Sequence, residues 1–252
     1  MNKWTREETI VAFNVYCKIP FKSSSKTHPL IIKYAKLLGR SSSALNMKVG
    51  NIGRLDPDLK ERGITGLIHG AKMEEDVWNE FYGNPDLLAF ESEKIIAQIS
   101  NQSIEDSVAI KTDDLPEGIE RTTIIRQRVN QSFFRSAVMS AYNFKCCISG
   151  INAPQLLDAC HIVNWSEDIN NRTNPKNGLC MNPFFHKAYD KNLLAITPDM
   201  LVIVSEELFQ SATEKSFFNY LKEINRRKII IPDKFLPQRE LLALHYDKFI
   251  DR

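Results

Sequence analysis

Paired cysteines are missing from this 252-residue chain. Its five cysteines, Cys17, Cys146, Cys147, Cys160 and Cys180, are odd in number and show no paired spacing. Reduced thiols are therefore expected rather than a disulfide frame. No CxxC unit is present to face a second one, so no structural zinc is expected. Long apolar runs are missing too, and nothing approaches the roughly 18 residues that a membrane-spanning helix needs. The opening Met1-Asn2-Lys3-Trp4-Thr5 lacks the charged-then-apolar pattern of a secretory leader, which points to a cytoplasmic protein. There is no internal repeat and no low-complexity block.

What is there can bury a substantial core: 43% of residues are apolar, and the length suits two domains. The net charge of +2 says little by itself. Its distribution says more. Eight Lys or Arg and no acid lie between Lys18 and Arg54, and seven acids against two lysines lie between Asn84 and Leu115. A basic module followed by an acidic stretch suits a surface that meets phosphates, and equally an ordinary solvated face.

Thr5 and Glu8 have capping-box spacing, so a first helix opens at Trp4-Thr5-Arg6-Glu7-Glu8 and ends near Pro20. Pro29 suits the first position of a second helix through Ile31, Ile32, Tyr34, Ala35 and Leu38, stopped at Gly39. Ser41 or Ser42 then caps a third helix carrying Ala44, Leu45, Met47 and Val49. Helix, glycine-centred turn and capped helix is the helix-turn-helix layout. The run from Tyr34 to Asn46 resembles such motifs, and the Trp-Thr-x-Glu-Glu opening is similar to Myb-like three-helix modules. That resemblance implies DNA contacts from Arg40, Ser42, Ser43, Asn46 and Lys48. The plainer reading is a three-helix bundle whose turn only connects.

Residues 54–83 read as an irregular continuation with turn points at Gly63, Gly66 and Gly70, packed by Trp78 and Phe81. A helix from Leu87 to Ile99 and a polar, acidic segment to Gly118 read as a connector. Residues 121–142 form a long amphipathic helix with Ile125, Val129, Phe133, Phe134, Val138 and Met139 on its stripe. The expected layout is a helical DNA-recognition domain over 1–83, a connector over 84–118 and a second domain over 119–252. His28 and His69 lie in loop-like stretches without partners of interest. Trp4, Trp78 and Trp165 read as core anchors, and His245 as a packing or capping residue in a terminal amphipathic helix.

The chemistry concentrates between Leu156 and Asp190. Residues 156–162 suit a strand with Asp158 and Cys160 on one face and His161 on the other. Residues 177–181 suit a second strand. Asn182 then caps a helix with Pro183 at its first position, and His186 and Asp190, one turn apart, share a face that can grip one ion. A divalent ion beside a neutral-pH base is what phosphodiester cleavage requires.

The order Cys147, Gly150, Leu157-Asp158, His161-Ile162, Asn177-Gly178-Leu179, His186 and Asp190 resembles the HNH endonucleases of ββα-metal fold. The flanks Gln131-Ser-Phe-Phe-Arg135 with Tyr142, and Pro237, Leu241, His245 and Phe249, resemble those of restriction-type members. The resemblance covers roughly residues 118–249. It implies an α+β protein, with the helix-turn-helix-like domain followed by an HNH domain. It implies His161 as general base, Asn177 as the residue that ties down the loop and orients the base, and Arg172 as a phosphate clamp. His186 and Asp190 would hold one Mg²⁺ or Mn²⁺ ion. Many such sites carry an Asp or His directly before the base, where this chain has Cys160. Asp158 on the same strand face is the preferred alternative, as ligand or outer-shell carboxylate, with water the remaining choice for the third position.

The expected function is therefore hydrolysis of double-stranded DNA in a restriction or phage-defence role, with a two-fold dimer expected from the symmetry of such a substrate. The alternative is an inactive DNA-binding regulator that keeps the ββα unit as scaffold.

Overall fold

The computed structural model describes residues 3–64, 70–108 and 119–252. Gly66, His69 and residues 109–118 of the expected connector lie outside the described residues. The chain divides into two compact units, Met1–Ala141 and Tyr142–Arg252.

The first unit is helical: α1 (Arg6–Lys18), α2 (Pro29–Leu37), α3 (Ser42–Gly53), α4 (Pro57–Glu61), α5 (Lys72–Phe81), α6 (Pro85–Ile99), α7 (Ile104–Ser107) and α8 (Ile119–Ala141). The capping box forms at the start of α1, where the Thr5 side chain and the Glu8 side chain each accept the other's backbone N–H. Every residue of α1 from Thr9 to Cys17 is buried, the polar Thr9 and Asn14 included, so this helix sits at the centre of the unit. It packs against α2, α3, α5, α6 and α8. His28 caps α2, its Nδ1 accepting from Leu30 N at 3.2 Å. Gly39 turns the chain with φ +63, and Ser41 caps α3.

The structure corrects the connector and the domain start. Residues 85–99 are α6, packed on α1, and α8 packs on α1 and α6. The reason is apolar burial: Val129, Phe133, Phe134, Ala137 and Val138 are at most 2% exposed. Polar ties reinforce the arrangement. Asp86 accepts from Arg126 and Asn130, and Ser140 Oγ donates to the Cys17 carbonyl. The helix expected to open the second domain thus belongs to the first unit.

The second unit mixes helices with two small antiparallel sheets. Its elements are β1 (Asp158–His161), β2 (Gly178–Met181), α9 (Pro183–Asp190), β3 (Leu194–Ile196), β4 (Val202–Val204), α10 (Glu206–Ser211), α11 (Lys215–Ile224) and α12 (Arg239–Ile250). β1 pairs with β2 so that Ala159 faces Cys180 and His161 faces Gly178. β3 pairs with β4 in a second hairpin, Ala195 opposite Ile203. Every residue of β2 and of β3 is buried. α9 packs on β1, β2 and β3, and α12 packs on β3. Among the described residues, no helix is long and apolar enough to cross a membrane.

Candidate metal and base site

Three elements deliver the site. β1 brings Asp158, Cys160 and His161, the 3₁₀ turn that leads into β2 brings Asn177, and α9 brings His186 and Asp190. The start of α9 is fixed by Asn182, whose Oδ1 accepts from Phe185 N at 2.9 Å, with Pro183 supplying its preset φ.

Asn177 is fully buried and pins the loop between the strands. Its Oδ1 accepts from Val163 N at 2.9 Å, and its Nδ2 donates to the Val163 carbonyl at 3.0 Å and the Asn171 carbonyl at 3.2 Å. Its own carbonyl accepts from Ile162 N at 2.9 Å. The residue before that amide is His161. One asparagine therefore locks the backbone beside the imidazole.

His161 Nε2 lies 2.9 Å from the Arg172 carbonyl. A carbonyl can only accept, so Nε2 carries the hydrogen and the lone pair sits on Nδ1. The Trp165 ring meets the imidazole edge-on, with centroids 5.7 Å apart. Burial is the largest influence on His161 and pushes its pKa below the ordinary 6.5; the His186 ring adds to this, while the hydrogen bond to Arg172 and the Asp190 charge oppose it. A neutral imidazole near pH 7 is in the form a general base needs.

His186 stands between two carboxylates. Nδ1 is 3.4 Å from Asp158 Oδ2 and Nε2 is 3.6 Å from Asp190 Oδ2. Ligand atoms of Cys160, His186 and Asp190 all lie within 4.8 Å of one another. Thiolate sulfur, imidazole nitrogen and carboxylate oxygen are all donors a divalent ion accepts, so these residues fit one ion. Burial first, then the charges of Asp190 and Asp158, holds the Cys160 thiol well above its ordinary pKa. His161 and Asp190 line one pocket of about 240 Å³ together with Glu167, His245 and Lys248.

Residues 146–197 match the family model described as HNH endonuclease. The second unit carries an HNH endonuclease domain. No curated protein matches the chain. The match covers β1, β2, α9 and β3.

The structure thus brings together His161, Asn177, His186, Asp190 and Asp158. Outside the HNH domain the outcome differs for the residues expected at DNA. Lys48 is only 5% exposed, with its ammonium 2.6 Å from Glu74 and 5.0 Å from the centre of the Trp4 ring. Arg40 donates to both Glu8 carboxylate oxygens at 2.8 Å and to the Lys3 carbonyl, and also covers Trp4. The expectation for Lys48 is corrected, since a buried, ion-paired ammonium cannot face a groove. Arg40 is likewise committed inside the unit. Ser43 is exposed, Ser42 is half-buried, and half-buried Asn46 is hydrogen-bonded to Ser24.

Arg172 donates Nε–H to the Trp165 carbonyl and stacks its guanidinium on that ring at 5.2 Å. What it gives the HNH site directly is its backbone carbonyl. Sequence carries no signal for that role, since every residue has a carbonyl. Sequence reasoning also missed the contribution of α12 to the pocket wall, where His245, expected only to pack or cap, and Lys248 stand three apart on one helical face.

Proposed function

We propose that this protein is a metal-dependent endonuclease that hydrolyses phosphodiester bonds of double-stranded DNA, in a restriction or phage-defence role. The observation that carries the reading is the pairing of a tautomer-fixed, neutral imidazole with a divalent-ion donor set on the facing helix. His161 Nδ1 accepts the proton of the attacking water. The Arg172 carbonyl and Asn177 keep the ring and its backbone in place while this happens. His186 and Asp190 hold the ion, with Asp158 beside His186. When bound, the ion supplies positive charge to the scissile phosphate and the leaving oxygen.

The helical first unit is the part that would choose the DNA site, with Ser42, Ser43 and Asn46 as contacts. A two-fold dimer would present one active site to each strand. The protein would act in the cytoplasm.

Nicking of supercoiled plasmid, assayed with Mg²⁺, Mn²⁺ and Co²⁺, tests the activity. Strand breaks that require metal and stop with EDTA are expected. A DNA mobility shift without any strand break, across all three metals and several modified DNAs, would replace this reading with the inactive regulator.

A further inference from the structure

One imidazole offers a given ion one nitrogen, and the two nitrogens of His186 face different carboxylates. Nε2 faces Asp190 and Nδ1 faces Asp158. A ligating histidine commonly gives its other N–H to a carboxylate, which fixes the ring and its tautomer. On this geometry Asp158 serves the ring, and a different side chain completes the ion's shell.

That side chain is Cys160, which together with His186 and Asp190 forms the compact donor group. Cys160 is fully buried, whereas the His186 and Asp190 side chains are 30% and 38% exposed. The sulfur therefore forms the floor and the open side faces solvent. Three protein donors under an open position is the layout of a catalytic centre rather than a closed structural one.

The geometry points to a one-thiolate, one-imidazole, one-carboxylate site for a borderline ion of the zinc, cobalt or nickel class, with Asp158 orienting His186 without touching the ion. This rests on the reading of the same site as a nuclease centre and names its metal class. Donor chemistry decides it: Mg²⁺ takes hard oxygen ligands in octahedral geometry, while thiolate sulfur selects softer ions. On binding, the S–H bond breaks, its proton goes to solvent and a sulfur–metal bond forms, with no change of oxidation state.

Titration of metal-free protein with Co²⁺, followed by absorption, tests the assignment. Wild-type protein should develop a near-ultraviolet thiolate-to-cobalt charge-transfer band. Cys160→Ser should lose the band, and so should His186→Ala, a half-exposed position whose loss leaves every thiol intact. Asp158→Asn should keep the band while weakening Co²⁺ affinity by about 10- to 100-fold. Co²⁺ binding without the band, no Co²⁺ binding, or a band that survives Cys160→Ser or His186→Ala would overturn the thiol ligand. Plasmid nicking in the same samples separates the two ideas. Nicking without the band sinks the sulfur ligand and leaves the nuclease standing, whereas the band without nicking keeps the metal site and removes the nuclease.

Discussion

In the proposed mechanism the chemistry turns on the imidazole of His161. Its Nε2–H is committed to the Arg172 carbonyl, so replacing the ring removes the base without disturbing charge elsewhere. His161→Ala should lower cleavage by about 10²- to 10⁴-fold and leave DNA affinity unchanged in a mobility-shift assay. Cleavage at the wild-type rate would show that another group takes the proton. The pH dependence follows from the sign of the shift. A histidine held below 6.5 by burial loses its proton at lower pH than a free one, so it is an active base over a wider range. The acidic limb of the kcat/KM profile should therefore lie below pH 6.5, and a limb above 7 would contradict the burial argument. Asn177 makes its case through stability. Asn177→Ala leaves the Val163 amide and two carbonyls without their side-chain partner, and buried orphans cost about 1–3 kcal/mol each. A urea melt should show a loss at least as large as one such group; a neutral change would mean that the loop is held by other contacts.

At the scale of elements, the HNH core was legible because its signals are local. Pro183 after Asn182 marks a helix start, an i to i+4 pair marks a shared helical face, and alternation separates Cys160 from His161. The capping box of α1 and the glycine turn before α3 were readable for the same reason. Strand ends were less so: residues 154–156 and 175–177 fold as single 3₁₀ turns, shortening both expected strands. The β3–β4 hairpin was missed altogether, since three-residue apolar runs carry too little periodicity to separate strand from buried helix. Lys48 was misplaced because charge on a helix says nothing about what packs opposite. Its partner Glu74 lies on α5, where it also accepts from Ala71 N and Asn51 Nδ2. Lys48→Ala leaves that buried carboxylate with Ala71 N, Asn51 Nδ2 and the Arg54 guanidinium at 3.9 Å, and should cost about 1.5–3 kcal/mol in unfolding free energy. Loss of DNA affinity at unchanged stability would instead restore the groove-facing role.

At the scale of the whole molecule, the distinction between units depends on where long helices bury their stripes, which no single-sequence pattern specifies. α8 reads as amphipathic, but only the fold shows that its partners are α1 and α6. The second unit also carries a built-in acid sensitivity. His245 on α12 stacks on Tyr189 with ring centroids 3.6 Å apart and donates Nε2–H to the Tyr189 carbonyl, while burial drives its pKa down to about 4. In the unfolded chain the same group takes a proton near pH 6.5, so the neutral folded form is favoured fully above that pH. Stability should fall as pH drops from 6.5 to about 4 and level off below, by about 3 kcal/mol at about 1.4 kcal/mol per tenfold change in proton affinity. His245→Phe should flatten that limb of the stability curve, and an unchanged limb would assign it to other groups.

The most direct test of the central claim is a plasmid-nicking assay on the full chain with saturating divalent metal, run beside His161→Ala and an EDTA control. Metal-dependent strand breaks in the wild-type protein, lost in both controls while DNA binding by the variant persists, are the predicted result. Intact plasmid with wild-type protein that demonstrably holds metal and binds DNA would contradict it.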